Sequence, residues 1–305
     1  MRKINRWVVF LGMIWPMSLF GQSYSLIFLS DTQAPMRIEK VILKSNQNVK
    51  ATALIFAAIS KEKPSAVYLL GDVVSLGHKE NKWKNMDTYL KDLQKQGIAI
   101  YALLGNHDVM SRPRKGEGAF QKRFPEHQRL GYVSTVDSVA VIMLNSNFKK
   151  LTATDVATQQ LWLEKTILSI DQDPSIITAI FSCHHAPFTN SKIVKPSKSV
   201  QEFFVDGYLK SKKGALFLTG HSHNFEHFKI AKKDFMVIGG GGGLRQPVRP
   251  SSSELDDLAK DYKPEFHFLT VDRRQRQLFI KSTFLSKDFK EISEGYKIHL
   301  SILPN

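Results

Sequence analysis

Short apolar runs recur along the chain, and most end in a small polar cluster. Tyr24 to Leu29 has the composition of a strand, and a helical segment follows from about Ile38 to Ser60, closing before Pro64. Ala66 to Leu70 reads as a second strand. Asn85 to Gln96 reads as a helix, with Met86, Tyr89, Leu90 and Leu93 at helical spacing and Gly97 as its stop. Ile98 to Leu104 is a third strand, so the first hundred residues follow a β-α-β-α-β order that predicts parallel strands with helical crossovers.

The same alternation continues. Val139 to Leu144 is a strand, Thr154 to Ser169 a helix with Leu161, Trp162 and Leu168 on its apolar side, and Ile176 to Cys183 a strand. Ser199 with Glu202 fits a capping box for a helix carrying Phe203, Phe204 and Leu209, and Ala215 to Thr219 is the next strand. Later runs, about Phe235 to Ile238, Phe266 to Val271 and Leu278 to Phe284, lack long helices between them. They suggest antiparallel pairing in a second sheet. Pro247 to Pro264 reads as a surface excursion. No repeat or linker divides the chain, so the expected fold class is α/β: one domain over residues 22–305, with two packed mixed β-sheets flanked by helices.

The first residues are of another kind. Arg2, Lys3 and Arg6 precede an apolar stretch from Trp7 to Phe20, and small Gly21 follows. This is the pattern of a signal peptide over residues 1–21, with cleavage after Gly21 and export to the periplasm or the extracellular space. The stretch is short for a membrane span, so no stable span is expected after cleavage.

Charge and cysteine usage narrow the picture. With 42% hydrophobic and 23% charged residues, a disordered chain is excluded. A single cysteine, Cys183, rules out an intrachain disulfide, so burial must supply the stability; beside an apolar run it reads as a small buried hydrophobe. The formal charge is +15, or about +12 without Arg2, Lys3 and Arg6, and attracts anions. A phosphorylated small molecule or other phosphoester fits such a field. Nucleic acid is possible, but no basic stripe interleaved with aromatics points to it. Oligomeric state has no signal in the sequence.

The chemistry lies where the strands end. The clusters are Ser30-Asp31-Thr32-Gln33, Gly71-Asp72, Gly105-Asn106-His107-Asp108, His184-His185 and Gly220-His221-Ser222-His223. In open α/β sheets, working groups occupy the loops beyond the carboxyl ends of the strands. Asp, Asn and His without Cys form a hard-to-borderline ligand set, suited to Mn, Fe, Zn or Mg. A carboxylate can bridge two cations, and two metals about 3.5–4 Å apart can clamp a phosphoryl group and activate the attacking water. Adjacent side chains on an extended segment point in opposite directions, so one of His184 and His185 is the ligand; His184 is favoured and His185 would lie behind it or face substrate. His227 reads as a satisfied core or surface residue. Gly239 to Gly243 reads as a tight passage beneath the site rather than a phosphate cradle, because no Lys-Ser/Thr follows. Arg245 just beyond could reach an anion, and Arg112, in a loop after His107, could frame the substrate entrance.

The ordered set Asp-x-Gln, Gly-Asp, Gly-Asn-His-Asp, His and Gly-His-x-His resembles the calcineurin-like metallophosphoesterase superfamily from about Leu26 to His223. Gln160-Leu161-Trp162-Leu163-Glu164 resembles a helix common in that family, and Gly220 to Glu226 is similar to its purple-acid-phosphatase-like members. The resemblance implies a four-layer α/β/β/α sandwich, two divalent metal ions and hydrolysis of phosphomonoesters or phosphodiesters by a metal-bound hydroxide. It implies that Asp31, Gln33, Asp72 and His223 surround the first metal, that Asp72 bridges, and that Asn106, His184 and His221 complete the second. His107 would stand by the leaving group, oriented by Asp108.

Two positions depart from the pattern. Gln33 stands where the family usually has His, and a neutral amide oxygen binds more weakly than imidazole. Ser75 stands three residues after Asp72, where purple acid phosphatases carry a metal-binding Tyr, so their coloured site is not expected. Gln33 motivates a non-catalytic metal- or anion-binding module as an alternative, and the positive charge motivates a secreted nuclease.

Overall fold

The computed structural model describes residues 25–249 and 255–302, so the expected signal peptide lies outside the described residues. In chain order the elements are β1 (Ser25–Leu29), α1 (Glu39–Ile42), α2 (Asn48–Glu62), β2 (Ala66–Leu70), α3 (Glu80–Gln94), β3 (Ala99–Leu103), α4 (Pro113–Gln121), β4 (Gly131–Val136) and β5 (Val139–Leu144). Then follow α5 (Ala153–Gln172), β6 (Thr178–Ser182), α6 (Lys198–Val200), a π-helical turn at Gln201–Val205, α7 (Asp206–Lys210) and β7 (Gly214–Thr219). The chain closes with β8 (Phe225–Ile230), β9 (Lys233–Ile238), β10 (His267–Arg274), β11 (Gln277–Leu285) and β12 (Ile292–Ser301).

These strands make two six-stranded mixed sheets, ordered β12-β11-β10-β1-β2-β3 and β4-β5-β6-β7-β9-β8. In the first, β1, β2 and β3 are parallel and β10 joins β1 antiparallel. In the second, β5, β6, β7 and β9 are parallel, with β4 and β8 as antiparallel edges.

Side chains alternate across each strand, and the buried clusters follow that period. Leu26, Phe28, Tyr68 and Leu70 face Val141, Met143, Ile180 and Leu218 between the sheets. Their neighbours Ile27, Leu29, Val67 and Leu69 turn outward onto Ile55, Ile59, Trp83 and Leu90 of α2 and α3. Ile142, Phe181 and Phe217 pack on Leu163, Ile167 and Ile170 of α5. The result is the expected α/β/β/α sandwich. Each fully buried aromatic or aliphatic side chain contributes roughly 1.5–3 kcal/mol. Strands buried on both faces show little polar alternation, which is why they read as continuous apolar runs.

Four local expectations need correction. The late strands do not form a sheet of their own: β9 adds to the second sheet, parallel to β7, while β10, β11 and β12 extend the first from the free edge of β1. The single helix expected over 38–60 is broken between α1 and α2. Asn48 accepts from Ser45 Oγ and the Asn46 N–H and donates to the Gly242 and Gly243 carbonyls, so local side-chain bonds displace helical ones there. On α5 the buried face is Gln159, Leu163, Ile167 and Ile170, whereas Leu161 and Leu168 are 58% and 61% exposed. The cap before Phe203 is Ser197, not Ser199; its Oγ accepts from the Val200 N–H.

Candidate metal centre

The loops that leave β1, β2, β3, β6 and β7 meet at one edge of the sandwich. The Asp31 N–H donates to the Gly71 carbonyl (3.1 Å), and the Gly220 N–H to the His184 carbonyl (3.0 Å). Asp31, Asp72, His221 and His223 all hold positive φ, at 61°, 50°, 69° and 49°. Such backbone is uncommon for these residue types and persists where its surroundings over-determine it, typically at functional sites. Gly71, just before Asp72, holds φ 87°, while at Gly105 and Gly220 the need is for space: a Cβ on Gly105 would lie 2.1 Å from Asp72 Oδ1.

Two candidate ligand clusters result. Asp72, His184 and His221 bring one donor atom each within 4.8 Å of one another, and so do Asp31, Asp72 and His223. Asp72 belongs to both, as a bridging carboxylate must. Asn106 Oδ1 stands 3.2 Å from His184 Nε2, on the side of the first cluster. Gln33 joins the other. With its amide nitrogen donating to the carbonyls of Asp72 (3.0 Å) and Asp31 (3.1 Å), its oxygen faces the His223 ring.

Hydrogen bonds behind the site set the tautomers. His184 Nδ1 is 2.9 Å from the Leu70 carbonyl and His223 Nδ1 is 2.7 Å from the Leu244 carbonyl. A carbonyl only accepts, so both Nδ1 atoms are protonated and both Nε2 atoms face the centre. There they meet oxygen: His184 Nε2 lies 3.2 Å from Asp72 Oδ2, and His223 Nε2 lies 3.2 Å from Asp31 Oδ1. Each such contact calls for positive charge between nitrogen and oxygen, supplied either by a proton on the ring or by a cation in its place.

Burial sharpens that requirement. Asp31 and Asp72 are 0% and 1% exposed, and Asp31 Oδ1 has no hydrogen-bond donor. Burial opposes ionisation of Asp72, yet His184 and then His107 hold its carboxyl well below the usual range. Burial likewise opposes charge on His184, but the Asp72 carboxylate outweighs it and lifts that ring to about 9. Burial, with His185 and His184 beside it, pushes His221 far down, which leaves it a neutral donor. Buried carboxylates, imidazole nitrogens turned to one centre and an orphaned oxygen fit divalent cations of the hard-to-borderline class.

Of the adjacent histidines, His184 enters a cluster and His185 does not. His185 Nδ1 contacts Ser146 Oγ (2.9 Å), and its ring packs 4.5 Å from that of His221. Burial, then the neighbouring His184, lowers it to about 3. His107 sits at the rim: Nδ1 is 3.3 Å from the Ser75 carbonyl, and Nε2 is 3.8 Å from Asp72 Oδ2 and 3.5 Å from Glu39 Oε1. The expected role of Asp108 is corrected here. Its carboxylate accepts from the N–H groups of Val73, Val74 and Gly105, so it clamps the second and third loops together, and the Ser75 carbonyl orients His107. Burial and the Asp72 charge push Asp108 up to about 7.

Residues further out also resolve. A Cβ on Gly239 or Gly243 would press within 2.7 Å of His223, and one on Gly240 would lie 2.1 Å from His267, so the glycine run is a tight passage. Arg245 is exposed and lines a separate cavity of about 350 Å³ with Asn46, Tyr262 and Lys263. Arg112 lines a groove of about 790 Å³ with Arg114, Lys115, Asn147 and Lys150, walled by the loops after β3 and β5. His227 contacts Tyr296 and Asp234, and Cys183 is buried, its thiol pushed up by burial. Glu39, Ser146 and the carbonyls of Leu70, Ser75 and Leu244 had no signal in the sequence, because a carbonyl is common to every residue and Glu39 and Ser146 lie outside the five clusters.

Comparison with known proteins agrees with this geometry. A search of curated proteins gives no match. The chain is similar in structure to a purple acid phosphatase from yellow lupin (Lupinus luteus) seeds, at 14% identity and a TM-score of 0.67, over 92% of this chain and 54% of that one. It is similar to GAP50, the anchor in the inner membrane complex of Plasmodium, at 14% identity and a TM-score of 0.66, over 92% and 90%. It is also similar to a dimetal phosphatase from Danio rerio, at 13% identity and a TM-score of 0.56, over 92% and 99%. At such identities these likenesses concern the fold. The family model for calcineurin-like phosphoesterases matches residues 24–225, two thirds of the sequence and all five clusters, and the chain belongs to that family.

Proposed function

We propose that the protein is an exported phosphohydrolase that cleaves phosphomonoesters or phosphodiesters with two divalent cations. The observation that carries this reading is Asp72, one buried carboxylate shared by two ligand clusters. Divalent cations supply Lewis acidity toward a phosphoryl oxygen and make water a nucleophile near neutral pH. Asp31, Gln33 and His223 would hold one ion with Asp72; Asn106, His184 and His221 would hold the other.

The remaining residues position and protonate. With Nδ1–H committed to the Ser75 carbonyl, His107 presents Nε2 at the rim, where the doubly protonated ring can give its Nε2 proton to a departing ester oxygen and be left neutral. Asp108 holds the Asp72 and Asn106 loops in register from behind. Arg112 and its basic neighbours would attract an anionic substrate to the adjoining groove. Export rests on the signal-peptide pattern of residues 1–21; among the described residues no helix is long and apolar enough to cross a membrane.

The test is hydrolysis of p-nitrophenyl phosphate and bis-p-nitrophenyl phosphate by protein stripped and reloaded with Mn, Fe, Zn or Mg, beside Asp72→Ala. Metal-dependent turnover lost in the variant is the expected result, and the preferred ester separates monoesterase from diesterase. Gln33 favours a second reading, a binding module of the same fold. Tight metal binding with no turnover of either ester would support that reading and reject ours.

A further inference from the structure

Helix α1 turns its acid inward and its other side chains out. Glu39 reaches to within 3.5 Å of His107 Nε2. None of its residues from Glu39 to Ile42 is buried. Ile38, Val41 and Ile42 are 70%, 84% and 74% exposed, and of the ten exposed large apolar residues among the described ones, four fall within 38–49. Arg37, Lys40 and Lys44 alternate with them, exposed and without an ion pair among the described residues.

A single helical turn is not stable by itself, and this one has no tertiary burial to hold it. Clustered exposed apolar side chains mark a surface that something covers. The interspersed cations select the covering: apolar side chains among Lys and Arg, in a chain of formal charge +15, match an anionic lipid interface, where the former enter the acyl boundary and the latter meet headgroup phosphates. Because Glu39 joins α1 to His107, a surface docked there would lie at the mouth of the metal centre.

The geometry points to α1 as a docking segment for an anionic lipid surface, and to amphiphilic, lipid-borne phosphoesters as the substrate class of the centre behind it. The second clause rests on the phosphoesterase reading; the first does not. The test is co-sedimentation with phosphatidylcholine vesicles with and without phosphatidylglycerol, comparing the protein with Val41→Glu/Ile42→Glu. These positions bury nothing, so the variant should melt at the same temperature and cleave soluble p-nitrophenyl esters equally well. The expected result is binding to anionic vesicles at least tenfold above neutral ones, a loss of about tenfold in the variant, and a matching loss of phosphate release from phosphatidic acid in vesicles. Equal binding by variant and parent would overturn the docking, since general charge would then suffice. Concentration-dependent self-association lost in the variant would also overturn it, by assigning the patch to a second copy. Docking with soluble-ester turnover but no release from vesicles would overturn the substrate class. Docking without turnover of any ester would instead reject the phosphoesterase reading and leave the docking in place.

Discussion

The main-chain N–H of His221 donates to Asp31 Oδ2 at 2.9 Å, joining loops 190 residues apart in the chain. The loop after the first strand and the loop after β7 are thus one unit, and the carboxylate that bonds the N–H with one oxygen aims the other, unpartnered, at His223. A ligand site assembled this way depends on close backbone approach as much as on the ligands.

Gly220→Ala tests that dependence without touching a ligand. The added Cβ would lie 1.9 Å from Ser30 Oγ and 2.4 Å from Asp31 Oδ2. Overpacking at such a point costs on the order of 1–3 kcal/mol. We expect a lower melting temperature together with loss of bound metal measured by atomic emission. Full metal content at an unchanged melting temperature would show that the two loops have slack.

Gln33→His restores the residue the family usually carries. Imidazole is the stronger donor for borderline cations. Metal loss to a chelator should slow by about tenfold, within the range that changes around a metal site typically produce. An unchanged rate would mean that the Gln33 oxygen does not reach the ion.

His127 predicts an acid-sensitive fold away from the metal centre. Burial lowers its pKa from 6.5 to about 4, and its ring packs edge-on against Phe120 and Tyr132. Between these values the unfolded chain binds more protons than the folded one. Stability is therefore full above about pH 6.5 and falls as the pH drops toward 4, by on the order of 3 kcal/mol across the window. Urea unfolding of His127→Phe should show a shallower slope over that range; an identical slope would mean the histidine titrates alike in both states.

Leu163→Ala and Leu161→Ala decide which face of α5 is buried. Leu163 is 2% exposed and Leu161 58%. Truncation in the core should cost about 2–5 kcal/mol, and at the surface less than about 0.5 kcal/mol. Equal losses by chemical denaturation would contradict the packing described.

The strands and the loops that carry the ligands were legible along the chain, because each is local. A run such as Val139–Leu144 needs only its own composition to declare a strand, and Gly-His-x-His declares its chemistry in four residues. What depended on partners was not. The faces of α5 are both partly apolar, and only the sheet beneath it selects Leu163 and Ile167 over Leu161 and Leu168. Asp108 follows His107 in sequence, yet the Val73 and Val74 N–H groups of another loop, with the Gly105 N–H of its own, claim its carboxylate.

By itself, then, the sequence determined the element order and the kinds of side chain gathered at the strand ends, and it favoured His184 over His185 for the cluster. Those follow from hydrophobic period, side-chain chemistry and the alternation of an extended backbone. Only the tertiary structure decided which sheet took β10, β11 and β12, which oxygens face the centre and which helix is left uncovered. The reason is physical: strand pairing, carbonyl contacts and burial are relations between distant segments, and they exist only when the chain has closed on itself.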